Sequence, residues 1–135
     1  MVSDRRKSFI GSGSSTGFTL IELIIVLAIV ALLLSIAAPR YFHSVDRSKE
    51  TVLKSNLAMT RDALDKYYGD NGKYPDQLNT LVTAKYLRSL PLDPITESSI
   101  AWTIVPPDTP EKGGVFDIHS SAQGNAADGT LYSEW

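Results

Sequence analysis

No cysteine occurs among the 135 residues. That absence excludes a disulfide framework, a thiolate metal site, a cysteine nucleophile and a lipid-modified cysteine anchor, all of which need the sulfur. A basic face is missing as well. Thirteen Lys and Arg stand against 15 Asp and Glu for a net charge of -2, and the one cationic cluster is Arg5, Arg6 and Lys7. A nucleic-acid partner needs a concentrated positive patch, so none is expected. There is no internal repeat, and the length allows one small domain at most.

The apolar residues, by contrast, are concentrated. From Phe18 to Ala38 the chain carries one charge, Glu22. As a helix this run measures about 30 Å, the thickness of a bilayer hydrocarbon core. Because Arg5, Arg6 and Lys7 precede it, the N-terminal segment is expected to stay cytoplasmic and the remainder to face outward. The chain thus divides into a leader (1–17), a membrane helix (18–38) and an exported head (39–135). The glycines between Gly11 and Gly17 mark a flexible segment. They are no phosphate-binding loop, because no Lys-Ser/Thr follows them and no strand precedes them.

Beyond Ala38 the helical pattern changes character. Leu53, Leu57, Thr60, Leu64 and Tyr67 recur at steps of four and three, which predicts one apolar stripe on an otherwise charged helix. Pro39 lacks an N–H for the Ser35 carbonyl, which predicts a bend there in a long helix running from Phe18 to about Tyr68. Gly69, Asn71 and Gly72 supply its stop. A short helix is expected after Pro75, with Asp76 as its cap and Leu78, Leu81 and Val82 facing inward. Two prolines make the segment from Leu90 to Pro94 an irregular connection. Ile100 to Val105 and Val115 to His119 have strand composition and flank a turn rich in proline and glycine, which predicts an antiparallel hairpin. Leu131, Tyr132 and Trp135 are expected to pin the C-terminus. The fold class is therefore α+β: a long N-terminal helix, transmembrane half first and amphipathic half second, packed on a small antiparallel sheet.

Catalysis finds little support. On a strand Asp117 and His119 share a face while Ser120 points away, so no triad follows, and His43 stands alone. Tyr67, Tyr68 and Tyr74 suit a helix end packed on a sheet. Glu22 is different. A charged glutamate at the centre of a spanning helix costs about 2.5–3.5 kcal/mol, so it needs a partner unless it reaches interfacial water. A cut after Gly17 would create an amine on Phe18, and the Glu22 of one subunit could meet the amine of the next. A donor and an acceptor on every subunit give a head-to-tail contact that propagates into a helical filament.

Gly17-Phe18-Thr19-Leu20-Ile21-Glu22 ahead of an apolar run resembles the class III signal of type IV pilins and of type II secretion pseudopilins. The resemblance implies that prepilin peptidase cuts between Gly17 and Phe18, that Phe18 is N-methylated, that Glu22 guides assembly and that Pro39 bends the helix. Tyr74-Pro75, Tyr86-Leu87, Leu90 to Pro94, Phe116 to Ser120 and Asp128-Gly129-Thr130 are similar to the head of the major pseudopilin family of type II secretion. Adhesive and motility pilins typically close a C-terminal loop with a disulfide, which this chain has no cysteine to form. The implied role is a structural, non-enzymatic subunit of a short periplasmic homo-oligomeric filament that supports protein export. The implied location is the bacterial inner membrane, single-pass, head in the periplasm. Implied partners are membrane lipid before assembly, the prepilin peptidase, the inner-membrane secretion platform with its assembly ATPase, and minor pseudopilins. Calcium is the one cofactor the resemblance raises, with Asp117 and Asp128 as candidate ligands, although the spacing does not match an EF-hand loop. Three rival readings stand beside this one. A type IV pilin would serve adhesion or motility. An ordinary signal-peptidase cut after Ala37, at Ser35-Ile36-Ala37, would release a secreted binding domain. An anchored periplasmic enzyme would need a deep polar pocket in the head.

Overall fold

The computed structural model describes residues 11, 13, 14 and 16–135. The Arg5 to Lys7 cluster and most of the expected leader lie outside that range. One helix, α1 (Leu20–Asn71), runs 52 residues with Pro39 inside it. It contributes to two compact units, Met1–Pro39 and Arg40–Trp135. Helix α1 stops where Gly72 takes φ +70°, a left-handed conformation that glycine enters without a Cβ penalty. There the Gly72 N–H donates to the Tyr68 carbonyl at 2.8 Å, and Asn71 Nδ2 donates to the Tyr67 carbonyl at 2.9 Å. Of the expected stop at Gly69, Asn71 and Gly72, the last two make the end, while Gly69 stays helical and carries the helix three residues past Tyr68.

In the first unit the apolar side chains of α1 are exposed on every side, Leu20, Leu27 and Leu34 among them. Near its end Ser35 Oγ donates to the Leu32 carbonyl at 2.6 Å.

In the second unit the stripe is where periodicity puts it. Leu53, Leu57, Thr60 and Leu64 are buried, joined by Ala63, and Tyr67 packs beside them half-buried. Thr60 escapes an unpaired hydroxyl by donating Oγ1 to the Asn56 carbonyl at 2.8 Å. Against this stripe lie Leu81 of α2 (Thr80–Thr83) and Ile118 of strand β2 (Asp117–Ser120). Strand β1 (Trp102–Val105) pairs antiparallel with β2, Trp102 opposite Ser120 and Val105 opposite Asp117. The hairpin is thus confirmed, with four residues in each strand: β1 loses Ile100 and Ala101, and β2 is shifted to start at Asp117 and end at Ser120.

Asp76 does not cap α2, whose N-cap is Asn79 without a side-chain bond. The reason lies across the chain. The Pro75 carbonyl accepts from the Gly114 and Val115 N–H groups, at 3.1 and 3.0 Å, and the Tyr74 N–H donates to the Lys112 carbonyl at 2.7 Å. Residues 74–76 are therefore tied to the segment before β2, and helix begins only after they are released. Gly113, at φ +112°, and Gly114 permit this approach: a Cβ on Gly113 would sit 2.1 Å from the Tyr74 carbonyl oxygen, and one on Gly114 2.3 Å from that of Asp76. Tyr74 also packs between Tyr68 of α1 and Phe116, tilted on the first and edge-to-face with the second, at 4.5 and 5.3 Å between ring centres.

The connection after Leu90 is more ordered than its prolines suggest. Asp93 is fully buried, and its Oδ1 accepts from the Ile95 and Thr96 N–H groups while Oδ2 accepts from Ser120 Oγ. A buried carboxylate needs such donors to offset desolvation. Trp102 Nε1 reaches the Pro91 carbonyl at 3.1 Å. Of the expected C-terminal pins, Tyr132 is buried and Trp135 partly so, whereas Leu131 is exposed.

Candidate functional site

The first candidate lies at the start of α1. Thr19 Oγ1 accepts from the Glu22 N–H at 3.2 Å, and a Glu22 carboxylate oxygen accepts from the Thr19 N–H at 2.8 Å. This is a reciprocal capping box, which satisfies two of the amide donors that a helix start leaves without partners. The Glu22 carboxylate is thus engaged by its own helix, at the end where the helix dipole favours negative charge. Thr19 was missed as a functional residue. Its signal was in the sequence, since Thr-x-x-Glu ahead of an apolar run is the capping-box pattern.

The Gly17–Phe18 junction immediately precedes this box, outside the helix and exposed, with Phe18 at 94%. A Cβ on Gly17 would meet nothing within 4 Å. Among the described residues, packing does not require a glycine there. Behind the box comes the apolar sleeve, long and apolar enough to cross a membrane. A helix apolar all round is stable only when something else surrounds it.

The second candidate involves Asp117 and Asp128, and the structure does not bring them together. Asp117 Oδ1 accepts from Arg61 Nε and from the Ile118 N–H, each at 2.7 Å, while Oδ2 lies 3.9 Å from His119 Nε2. Arg61 also donates to the Ile118 carbonyl. Asp128 belongs to the 124–130 loop, where its Oδ1 accepts from Thr130 N at 3.0 Å and Thr130 Oγ1 at 2.6 Å. Its Oδ2 lies 3.9 Å from Lys54 Nζ. The Thr130 bonds, with Lys54 assisting, hold the Asp128 carboxyl below its ordinary range. Among the described residues, no group of three or more His, Asp or Glu is placed to hold a metal ion.

Both acids are met by cations from α1, and a third residue of that helix completes the pattern. Glu50 Oε1 accepts from the Ala127 N–H at 2.8 Å and from the Tyr132 hydroxyl at 2.9 Å. Burial first, then the Glu50 carboxylate, push the Tyr132 phenol up to about 12. Glu50, Lys54, Leu57 and Arg61 succeed one another at steps of four, three and four, so one helical face carries all of them. Sequence reading found Leu57 and missed the three charged neighbours, because a charge run looks the same whether it faces water or an acidic loop.

The two histidines have separate surroundings. His119 Nδ1 lies 2.5 Å from the Trp135 carbonyl oxygen, and Ser120 points the other way to the buried Asp93. His43 lines an open cleft with Asp46, Arg47 and Glu50 of α1 and with the 125–127 segment.

Residues 13–38 match the prokaryotic N-terminal methylation motif. The helix start therefore places the chain in the class of proteins carrying that motif. Over 126 residues the chain is 30% identical to the type II secretion system core protein G of Klebsiella michiganensis, covering 82% of this chain and 84% of that protein. It is 34% identical over 95 residues to the protein of the same name in Pseudomonas aeruginosa, covering 58% and 67% respectively. It is also 38% identical over 65 residues to the type IV major pilin protein PilA of Myxococcus xanthus, of which it covers 30%. The chain belongs to the type II secretion system core protein G family. No solved structure matches it. Secretion-system core proteins and a pilin make up the relatives named above, with no enzyme among them.

Proposed function

We propose that the chain is the major structural subunit of a type II secretion pseudopilus. Residues 1–17 are the leader, which prepilin peptidase removes between Gly17 and Phe18 before methylating the new Phe18 amine. Residues 18–38 anchor the subunit in the inner membrane and later form the filament core, with Pro39 as the bend. Residues 39–135 form the periplasmic head. Assembly draws on the secretion platform and its ATPase, and minor pseudopilins share the filament.

The observation that carries this reading is the apolar sleeve, exposed on all sides and headed by the Thr19–Glu22 box. Such a surface has a favourable transfer free energy of about 25 cal/mol per Å² into any apolar surrounding, lipid before assembly and neighbouring sleeves after it. An exposed Gly17 that no packing contact demands fits recognition by a processing enzyme. In the filament the Glu22 carboxylate exchanges its own Thr19 N–H for the Phe18 amine of a neighbour. Glu22→Ala tests this. Processing and membrane insertion should persist while cross-linkable polymers disappear, and normal polymer yield would refute the assignment. Edman sequencing of the mature chain should begin at methylated Phe18. A start at Ala38 would instead indicate a secreted domain.

A further inference from the structure

We propose that the head closes its C-terminal loop with an internal cation, the Lys54 ammonium, in the role that calcium would otherwise fill, so that its fold is independent of divalent metal. Calcium takes six to eight oxygens. The oxygens of the 124–130 loop are instead turned to protein donors. Asp128 Oδ1 holds both Thr130 donors, and the Ala126 and Thr130 carbonyls accept from Gly129 N and Ala126 N. The Gly129 carbonyl accepts from Asn125 Nδ2, and the Gly124 carbonyl from Tyr132 N. Glu50 Oε1, the nearest acidic contribution from α1, already serves Ala127 N and the Tyr132 hydroxyl.

The remaining Asp128 oxygen faces Lys54 Nζ at 3.9 Å, and that ammonium also lies 4.2 Å from the centre of the Trp135 ring. Trp135 Nε1 in turn donates to Thr130 Oγ1 at 2.7 Å. Lys54 thus connects helix, loop acid and terminal indole, and each contact uses its positive charge. A divalent ion approaching Asp128 would meet that charge at contact range. The second candidate acid is occupied in the same way, Asp117 by Arg61, seven residues further along the same face of α1. Two cations about two helical turns apart face the two acids separately, leaving them no shared ion to bind.

The test uses the full chain in detergent micelles, with calcium chloride or terbium chloride as the probe. For the wild type, melting followed by circular dichroism should give the same Tm in millimolar calcium and in excess EDTA. Terbium emission sensitised by Trp135 should stay at background. Lys54→Met should lower Tm by about 3–6 °C equally in both buffers and expose the 124–130 loop to limited proteolysis. Lys54→Arg should restore both properties. A calcium-dependent rise in wild-type Tm reversed by EDTA, or saturable terbium emission, would overturn the proposal without touching the pseudopilus reading. So would a Lys54→Met chain whose loop is as protected as the wild type's.

Discussion

Helix α1 contains two regions with opposite requirements. Between residues 20 and 38 the side chains are exposed and, Glu22 and Ser35 apart, apolar, and among the described residues nothing covers them. Between residues 50 and 67 one face is buried by the chain's own strands and loops, and the charges beside that face have partners within the head. Continuous helix does not imply uniform energetics. The second region is stabilised by tertiary packing, as most protein helices are. Among the described residues the first has its internal hydrogen bonds and its cap until another molecule surrounds it.

Four experiments would break or sharpen that contrast. The largest effect on stability is expected from Gly113→Ala, whose methyl would collide with the Tyr74 backbone at a φ suited only to glycine. The head should lose on the order of 5 kcal/mol or more, read by urea denaturation, while the sleeve still inserts into membranes. Next comes a matched pair. Leu64→Ala, at a site 0% exposed, should cost the head about 2–5 kcal/mol, whereas Leu34→Ala, 58% exposed, should leave the head's Tm unchanged. Equal effects from the two would show that the regions do not differ as described.

Glu50→Ala removes the acceptor shared by Ala127 N and the Tyr132 hydroxyl, and should cost about 1–3 kcal/mol with loosening confined to the C-terminal loop, visible by amide exchange. The smallest effect is alkaline. The Tyr132 pKa is raised from 10.0 to about 12, so folding favours the neutral phenol. Its contribution should be intact below pH 10 and fade as pH rises towards 12, with the Tyr132 phenolate appearing late in an ultraviolet titration.

What the sequence revealed follows from range. The sleeve, the stripe at Leu53, Leu57 and Leu64, and the hairpin are local periodicities, legible from neighbours along the chain. The helix start was half legible: Glu22 stood out as a lone charge, but its partner Thr19 was passed over although the capping pattern joins them. Asp76 looked like a cap because the contact that prevents it, Pro75 with Gly114 and Val115, comes from far along the chain. Asp93 looked like an irregular bend for the same reason, since its partner Ser120 is 27 residues away. Glu50, Lys54 and Arg61 were invisible as a set because their meaning depends on which loop faces them.

The spacing of Lys54 and Arg61 also limits how this helix can change. Each residue added to an α-helix turns everything beyond it by about 100°. One residue inserted between these two cations would swing Arg61 away from Asp117 while Lys54 stayed beside Asp128, and one residue deleted would swing it as far the other way. The interval is a fixed gauge, so changes in length should be tolerated in the exposed loops of the head and not along this part of α1.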